Sequence, residues 1–146
     1  MLFRSEKPLL AQVPTYVGFR PEDFRYMTEH LDELVVKTTG DAGGYGMLMG
    51  PFSTASERER YLTTMKQDPG NYIAQRLVHF SSHPTHVDGR FEPRRIDLRP
   101  FILYGDRIRV LPGGLTRVAL RTGSFVVNSS QGGGSKDTWV LAPREA

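Results

Sequence analysis

Cysteine is absent from the 146 residues, which excludes a disulfide scaffold, a thiolate nucleophile and cysteine-based zinc sites, and fits a reducing compartment. Long apolar runs are absent too. Nothing approaches the ~20 residues of a membrane span, and residues 1–7 are too polar for a signal peptide, so a cytoplasmic protein without a membrane partner is expected. Charge of one sign is also lacking: 19 Lys and Arg against 16 Asp and Glu give a net charge of +3, too small to imply nucleic-acid binding. Nor are the arginines interleaved with aromatics, as a stacking platform for bases requires. No repeat of 20 to 50 residues is found, and the sole low-complexity stretch is Gly132-Gly133-Gly134. A chain of this length still buries roughly two thirds of its unfolded surface, so a hydrophobic core suffices for folding.

What is present divides into two textures. Pro21 marks a helix start, and Phe24, Met27, Leu31 and Leu34 recur at helical spacing, which predicts an amphipathic helix through Glu33. A short strand over 34–37 follows, then a loop over 38–46 with four glycines, then a returning apolar strand over 47–49. Ser53, Thr54 and Ser56 precede Glu57 and Glu59 at capping-box spacing, opening a second helix that Asp68-Pro69-Gly70 stops. Beyond it strands are predicted at 72–78, 96–104, 107–111, 117–120, 125–128 and 138–141, with Gly105-Asp106 as a hairpin turn. The expected class is α+β, with subdomains of about 8–70 and 71–146 and a mainly antiparallel sheet in the second.

Four constellations carry chemistry. Lys37 ends a strand ahead of Gly40, Gly43, Gly44, Tyr45 and Gly46, where glycines let backbone N–H groups turn toward an anion and the lysine adds a point charge. It is neither a Walker loop nor a Rossmann fingerprint, and a flexible hairpin tip accounts for it equally well. Gln75, Arg76, Leu77 and Val78 end an apolar strand whose backbone could face the edge of a base; an ordinary buried strand is the competing account. Asp97 and Arg99 lie two apart, on one face of a strand, where a surface ion pair is the plain alternative. Lastly, Asn128, Gln131, Lys136 and Asp137 surround a glycine turn. Between residues 81 and 121 eight arginines stand against four acids, and arginine suits planar capture of phosphate or carboxylate. His79, His83 and His86 are spaced four and three apart, but Ser81, Ser82 and Pro84 oppose a helix there, so no metal site is assigned.

The order of these features resembles the ATP-grasp superfamily. Val110-Leu111-Pro112-Gly113-Gly114-Leu115-Thr116-Arg117-Val118-Ala119 and Asn128-Ser129-Ser130-Gln131-Gly132-Gly133-Gly134-Ser135-Lys136-Asp137-Thr138-Trp139-Val140-Leu141 resemble the C-terminal signature of its circularly permuted type 2 members. The resemblance runs from about Pro8 to Leu141. It implies that Lys37 contacts ATP phosphates beneath the loop at Gly40, Gly43, Gly44, Tyr45 and Gly46, that Gln75, Arg76, Leu77 and Val78 form the adenine hinge, and that Asp97 faces the ribose. It further implies that Arg99 and Arg117 steady the phosphoryl group and acyl intermediate, while Asn128, Gly132 and Gly133 approach the phosphate and metal end. Related ligases often carry an arginine close to the asparagine. Val126 and Val127 precede Asn128 here, so Gln131 or Lys136 would inherit the anchoring of substrate.

The implied activity is an ATP-dependent carboxylate–amine ligase working through an acyl phosphate, with unknown carboxylate and amine substrates. Magnesium is the implied cofactor beside ATP, and its carboxylate ligands are expected mostly in an upstream region that this chain lacks. The chain therefore reads as a truncated C-terminal portion, inactive alone and prone to self-association through surface that the rest would cover. A non-catalytic nucleotide-binding module that needs a partner chain is the second reading, and a nucleic-acid binder the third.

Overall fold

The computed structural model describes residues 8–41, 45–128 and 132–142. They form two compact units, Met1–Val78 and His79–Ala146. In the first, β1 (Thr15–Val17), β2 (Leu34–Thr38), β3 (Leu48–Met49) and β4 (Tyr72–Arg76) make an antiparallel sheet in the order β1-β4-β2-β3. Helices α1 (Pro21–Glu29) and α2 (Ala55–Gln67) cover one face. Alternation along the strands sends Leu34, Val36, Leu48, Tyr72 and Ala74 to that face, where they meet Met27, Leu31 and Met65 in a closed core.

Pro21 opens α1 with Glu22 and Asp23 in its first turn, favourable against the helix dipole. The helix ends four residues short of Glu33 because His30 leaves helical geometry and its carbonyl accepts from the Glu33 N–H. Leu31 and Leu34 keep the buried periodicity from a turn and a strand instead. At α2 the predicted capping box is present: Thr54 Oγ1 accepts from the Glu57 N–H at 3.2 Å, and Glu57 accepts from the Thr54 N–H at 2.7 Å. The Thr54 N–H, together with the Thr54 hydroxyl that donates to the same carboxylate oxygen at 2.8 Å, holds the Glu57 carboxyl below its usual range. The sequence division near Gly70 falls earlier than the observed one at Val78, because β4 is an interior strand of the first sheet.

The second unit is one antiparallel sheet, β5 (Ser82–Val87), β6 (Arg90–Tyr104), β7 (Ile108–Val118) and β8 (Gly134–Trp139), in sequential order. Strand β5 is missing from the sequence prediction. Its turn is Asp88-Gly89, both at positive φ, the geometry of a two-residue hairpin that Asp-Gly favours. Strand β7 was predicted as two pieces parted at Pro112-Gly113-Gly114, yet it runs through them because β6 and β8 flank it on both sides. The segment 125–128 is not a strand, although Val127 is buried. Lys136 on β8 reaches His83 Nδ1 at 3.0 Å and donates to the Pro84 carbonyl at 2.5 Å on β5, so the two edge strands are strapped together. Such a sheet is strongly curled. Thr85, Arg94, Thr116 and Val118 are buried within this unit.

Candidate functional site

On the first sheet, Val35, Lys37, Ile73, Gln75, Thr15 and Val17 share the face turned away from the helices. Three of them form a polar row. Lys37 Nζ donates to Gln75 Oε1 at 2.9 Å, and Gln75 Nε2 donates to Thr15 Oγ1 at 2.8 Å. The register explains the reach: Val35 stands opposite Gln75, placing Lys37 one step along the same face. One acceptor leaves two of the three ammonium protons of Lys37 for another ligand. Sequence patterns do not single out Thr15, since its part depends on β1 pairing with a strand 60 residues away.

The four residues expected at the adenine hinge separate. Gln75 joins Lys37, whereas Arg76 lies on the helix-covered face and donates to Tyr26 Oη at 3.0 Å. That bond from Arg76 holds the Tyr26 hydroxyl below its usual value. Tyr72–Arg76 is bracketed by β1 and β2, so its backbone groups are taken up in the ladder. Leu77 and Val78 lie just past it and make no backbone hydrogen bond among the described residues. Of the loop, Gly43 and Gly44 lie outside the described residues, as does Gln131. Gly40 and Tyr45 are exposed, and Gly46 is fixed to α2 by Tyr61 Oη, which donates to its carbonyl at 2.6 Å. Burial pushes the Tyr61 hydroxyl up to about 12. From sequence Tyr61 is only one member of an apolar stripe.

On the second sheet Asp97 and Arg99 share one face, as their spacing implies, and the register sets Arg117 opposite Asp97 on that face. Arg117 grips Asp97 with Nε at 3.0 Å from Oδ1 and the terminal nitrogen at 2.6 Å from Oδ2, while Arg99 stands 3.7 Å away. Hydrogen bonding to Arg117, reinforced by its charge and that of Arg99, holds the Asp97 carboxyl below the usual range. Asp137 shares this face two strands away and has no hydrogen bond or ion pair among the described residues. Lys136 points to the other face, into the strap to β5. The Asn128 carbonyl accepts from the Gly133 N–H at 3.0 Å. A Cβ on Gly133 would lie 2.8 Å from the carbonyls of both Val127 and Asn128, so only glycine lets the chain double back there.

The sequence model of the family described as circularly permuted ATP-grasp type 2 matches residues 2–119. The chain belongs to this family. Among relatives of this ATP-grasp chain, an uncharacterized protein of Synechocystis sp. is 58% identical over 140 residues, covering 95% of this chain and 29% of that protein. An uncharacterized protein of Mycobacterium tuberculosis is 49% identical over 143 residues, 97% of this chain and 26% of that one. A protein of Frankia casuarinae, provisionally named a glutamate–cysteine ligase, is 45% identical over 142 residues, 94% and 16%. The ATP-grasp chain thus spans less than a third of the length of these curated relatives. No helix among the described residues is long and apolar enough to cross a membrane.

The ATP-grasp family binds ATP and magnesium, and the two fit the described residues unequally. Lys37 and the arginines offer donors for phosphate oxygens. For magnesium no group of three or more acidic or histidine side chains comes together among the described residues. Asp97 is committed to two guanidinium groups, leaving Asp137 as the unpaired carboxylate on its face among the described residues. His83 and His86 lie on opposite faces of β5.

Proposed function

We propose that this chain is the ATP-binding portion of an ATP-dependent carboxylate–amine ligase. The observation that carries the reading is the side-by-side placement of Lys37 and Gln75, 38 residues apart and 2.9 Å from each other, on the sheet face free of helices. A cation for phosphate oxygens and the strand leading to the hinge are thereby brought to one surface. Leu77 and Val78, past the ladder, offer the base its backbone donor and acceptor; the ligase name of the Frankia relative supports the reaction class.

In the reaction a substrate carboxylate oxygen attacks the γ-phosphorus, and the bond to the bridging oxygen breaks to release ADP. An amine then attacks the acyl phosphate carbon and expels inorganic phosphate. Lys37 holds the phosphates in line, Arg99 receives charge on the transferring group, and Arg117, oriented by Asp97, steadies the acyl oxygen. Asn128 with Gly132 and Gly133 closes the phosphate end, and the anchoring of substrate falls to Gln131, because Lys136 is taken up in the strap to β5. Magnesium, when bound, neutralises the β- and γ-phosphates. Its ligands are assigned mainly to the portion of the longer relatives that this chain does not span.

Nucleotide titration of the wild type and Lys37→Ala tests the site. The variant is expected to bind ATP about tenfold more weakly, the loss of a charge-assisted contact; equal affinity removes Lys37 from it. A second reading, a nucleotide-binding module without turnover, is favoured by the lack of a metal-ligand cluster among the described residues. ADP release by the isolated chain, compared with the chain joined to the remaining portion of a longer relative, separates the two.

A further inference from the structure

A cavity of about 310 Å³ in the second unit is lined by Arg94, Arg95, Arg121, His79, Ser82 and Ser124, among others, and by no acidic side chain. Asp97, Arg99 and Arg117 do not line it, so it is a different place from the ion-paired face. The three guanidinium groups differ in how their charge is met. Arg94 is 7% exposed and fully engaged: it donates to the Leu120 and Pro93 carbonyls and pairs with Glu92. Arg95 has only neutral partners. One terminal nitrogen donates to the Gly123 and Ser124 carbonyls at 2.6 and 3.0 Å, and the guanidinium stacks over Phe125 at 3.6 Å. The Arg121 guanidinium has no hydrogen bond or ion pair among the described residues.

Two guanidinium groups without an acidic partner among the described residues therefore converge on one partly enclosed space. Their mutual repulsion is unfavourable unless an anion offsets it, and low-dielectric walls strengthen both terms. The contacts of Arg95 to the 123–125 loop fix that guanidinium in advance, which lowers the ordering cost of binding. A volume near the lower end for ligand pockets suits a small anion better than a whole nucleotide.

We propose that this pocket is a second oxyanion site, independent of the ATP reading, which takes a small phosphate- or carboxylate-bearing ligand between Arg95 and Arg121. Arg95 supplies its remaining Nε and terminal N–H groups, Arg121 a bidentate fork, and Ser82 a hydroxyl. Arg94, tied to Glu92, shapes the floor.

The test follows the arginine Nε–H signals of isotopically labelled protein during separate titrations with inorganic phosphate and glutarate at constant ionic strength. Saturable shifts at Arg95 and Arg121 are expected with at least one probe, and chloride should produce none. A tighter phosphate midpoint identifies a phosphate group as the natural handle; a tighter glutarate midpoint identifies a carboxylate. Arg121→Gln should raise the midpoint about tenfold while Arg121→Lys restores part of it. The Arg121 side chain is exposed and makes no bond among the described residues, so both variants should retain the wild-type amide spectrum. Unsaturable shifts, the same midpoint in Arg121→Gln, or shifts confined to Arg99 and Arg117 would overturn the proposal.

Discussion

Tyr61 joins the glycine loop to α2, and replacing it with phenylalanine separates two effects that act in opposite directions along the pH axis. At neutral pH Tyr61→Phe removes the 2.6 Å bond to the Gly46 carbonyl. A neutral hydrogen bond is worth about 0.5–1.5 kcal/mol net, and Gly46 is exposed, so water can replace the lost donor and the lower half of that range applies. In alkali the sign reverses. The hydroxyl titrates near 12 in the folded chain against about 10 unfolded, so between those values the unfolded state loses its proton first and stability falls as pH rises. Two pH units at about 1.36 kcal/mol each bound the loss at about 2.7 kcal/mol, and the half-exposed ring brings it nearer 2 kcal/mol. The phenylalanine variant is free of that term. Wild type should therefore be the more stable protein at about pH 7, match the variant near pH 11, and fall below it closer to pH 12. Urea unfolding followed by circular dichroism across this range reads the crossing, with tyrosinate absorbance as the proton count. The other five tyrosines are common to both proteins and cancel in the difference. Parallel curves, with a constant gap from neutral to alkaline pH, would refute the assignment of the raised hydroxyl to Tyr61.

Thr54→Ala should cost about 1 kcal/mol in thermal unfolding and return the Glu57 carboxyl toward its ordinary value, readable by side-chain NMR titration. Asp97→Asn strips the half-buried Arg117 of its counter-charge and should cost about 1–3 kcal/mol at neutral pH. The depressed Asp97 carboxyl contributes stability above its unfolded value of about 4 and loses it as pH falls below, so the gap between wild type and variant should shrink by about pH 2–3. Unfolding midpoints measured at both ends of that range check it.

Legibility followed sequence distance. Both helices and the capping box could be read because their determinants lie within a turn or two: Pro21 at a start, Thr54 and Glu57 three apart, Asp68-Pro69-Gly70 at a stop. Strand β5 is hidden in the sequence because Ser82, His83, Pro84 and His86 offer no apolar alternation, and Asp88-Gly89 is its one local hairpin signal. The Pro-Gly-Gly of β7 read as a turn because a strand interrupted locally can still be held by partners on both sides. Of the candidate residues, Lys37 and Gln75 on the first unit and Asp97 and Arg99 on the second stand in patterns of residue type and spacing, whereas Arg117 comes from the family resemblance. That Arg76 faces α1, that Thr15 completes the row, and that Arg95 and Arg121 share a cavity depend on register and loop placement, which no short window contains.

The strap from Lys136 to β5 has a consequence for the order in which the second unit assembles. Its neighbouring strands are joined in sequence, so β5–β6 and β6–β7 can zip through turns of two and three residues with little loop entropy lost. Lys136 bonds to a carbonyl 52 residues away, across strands that must already be paired and curled before the two edges come within reach. Closure of the strap is then a late event that adds little to the folding rate, and its rupture an early one in unfolding. Weakening it with Lys136→Met should speed unfolding and leave refolding nearly unchanged.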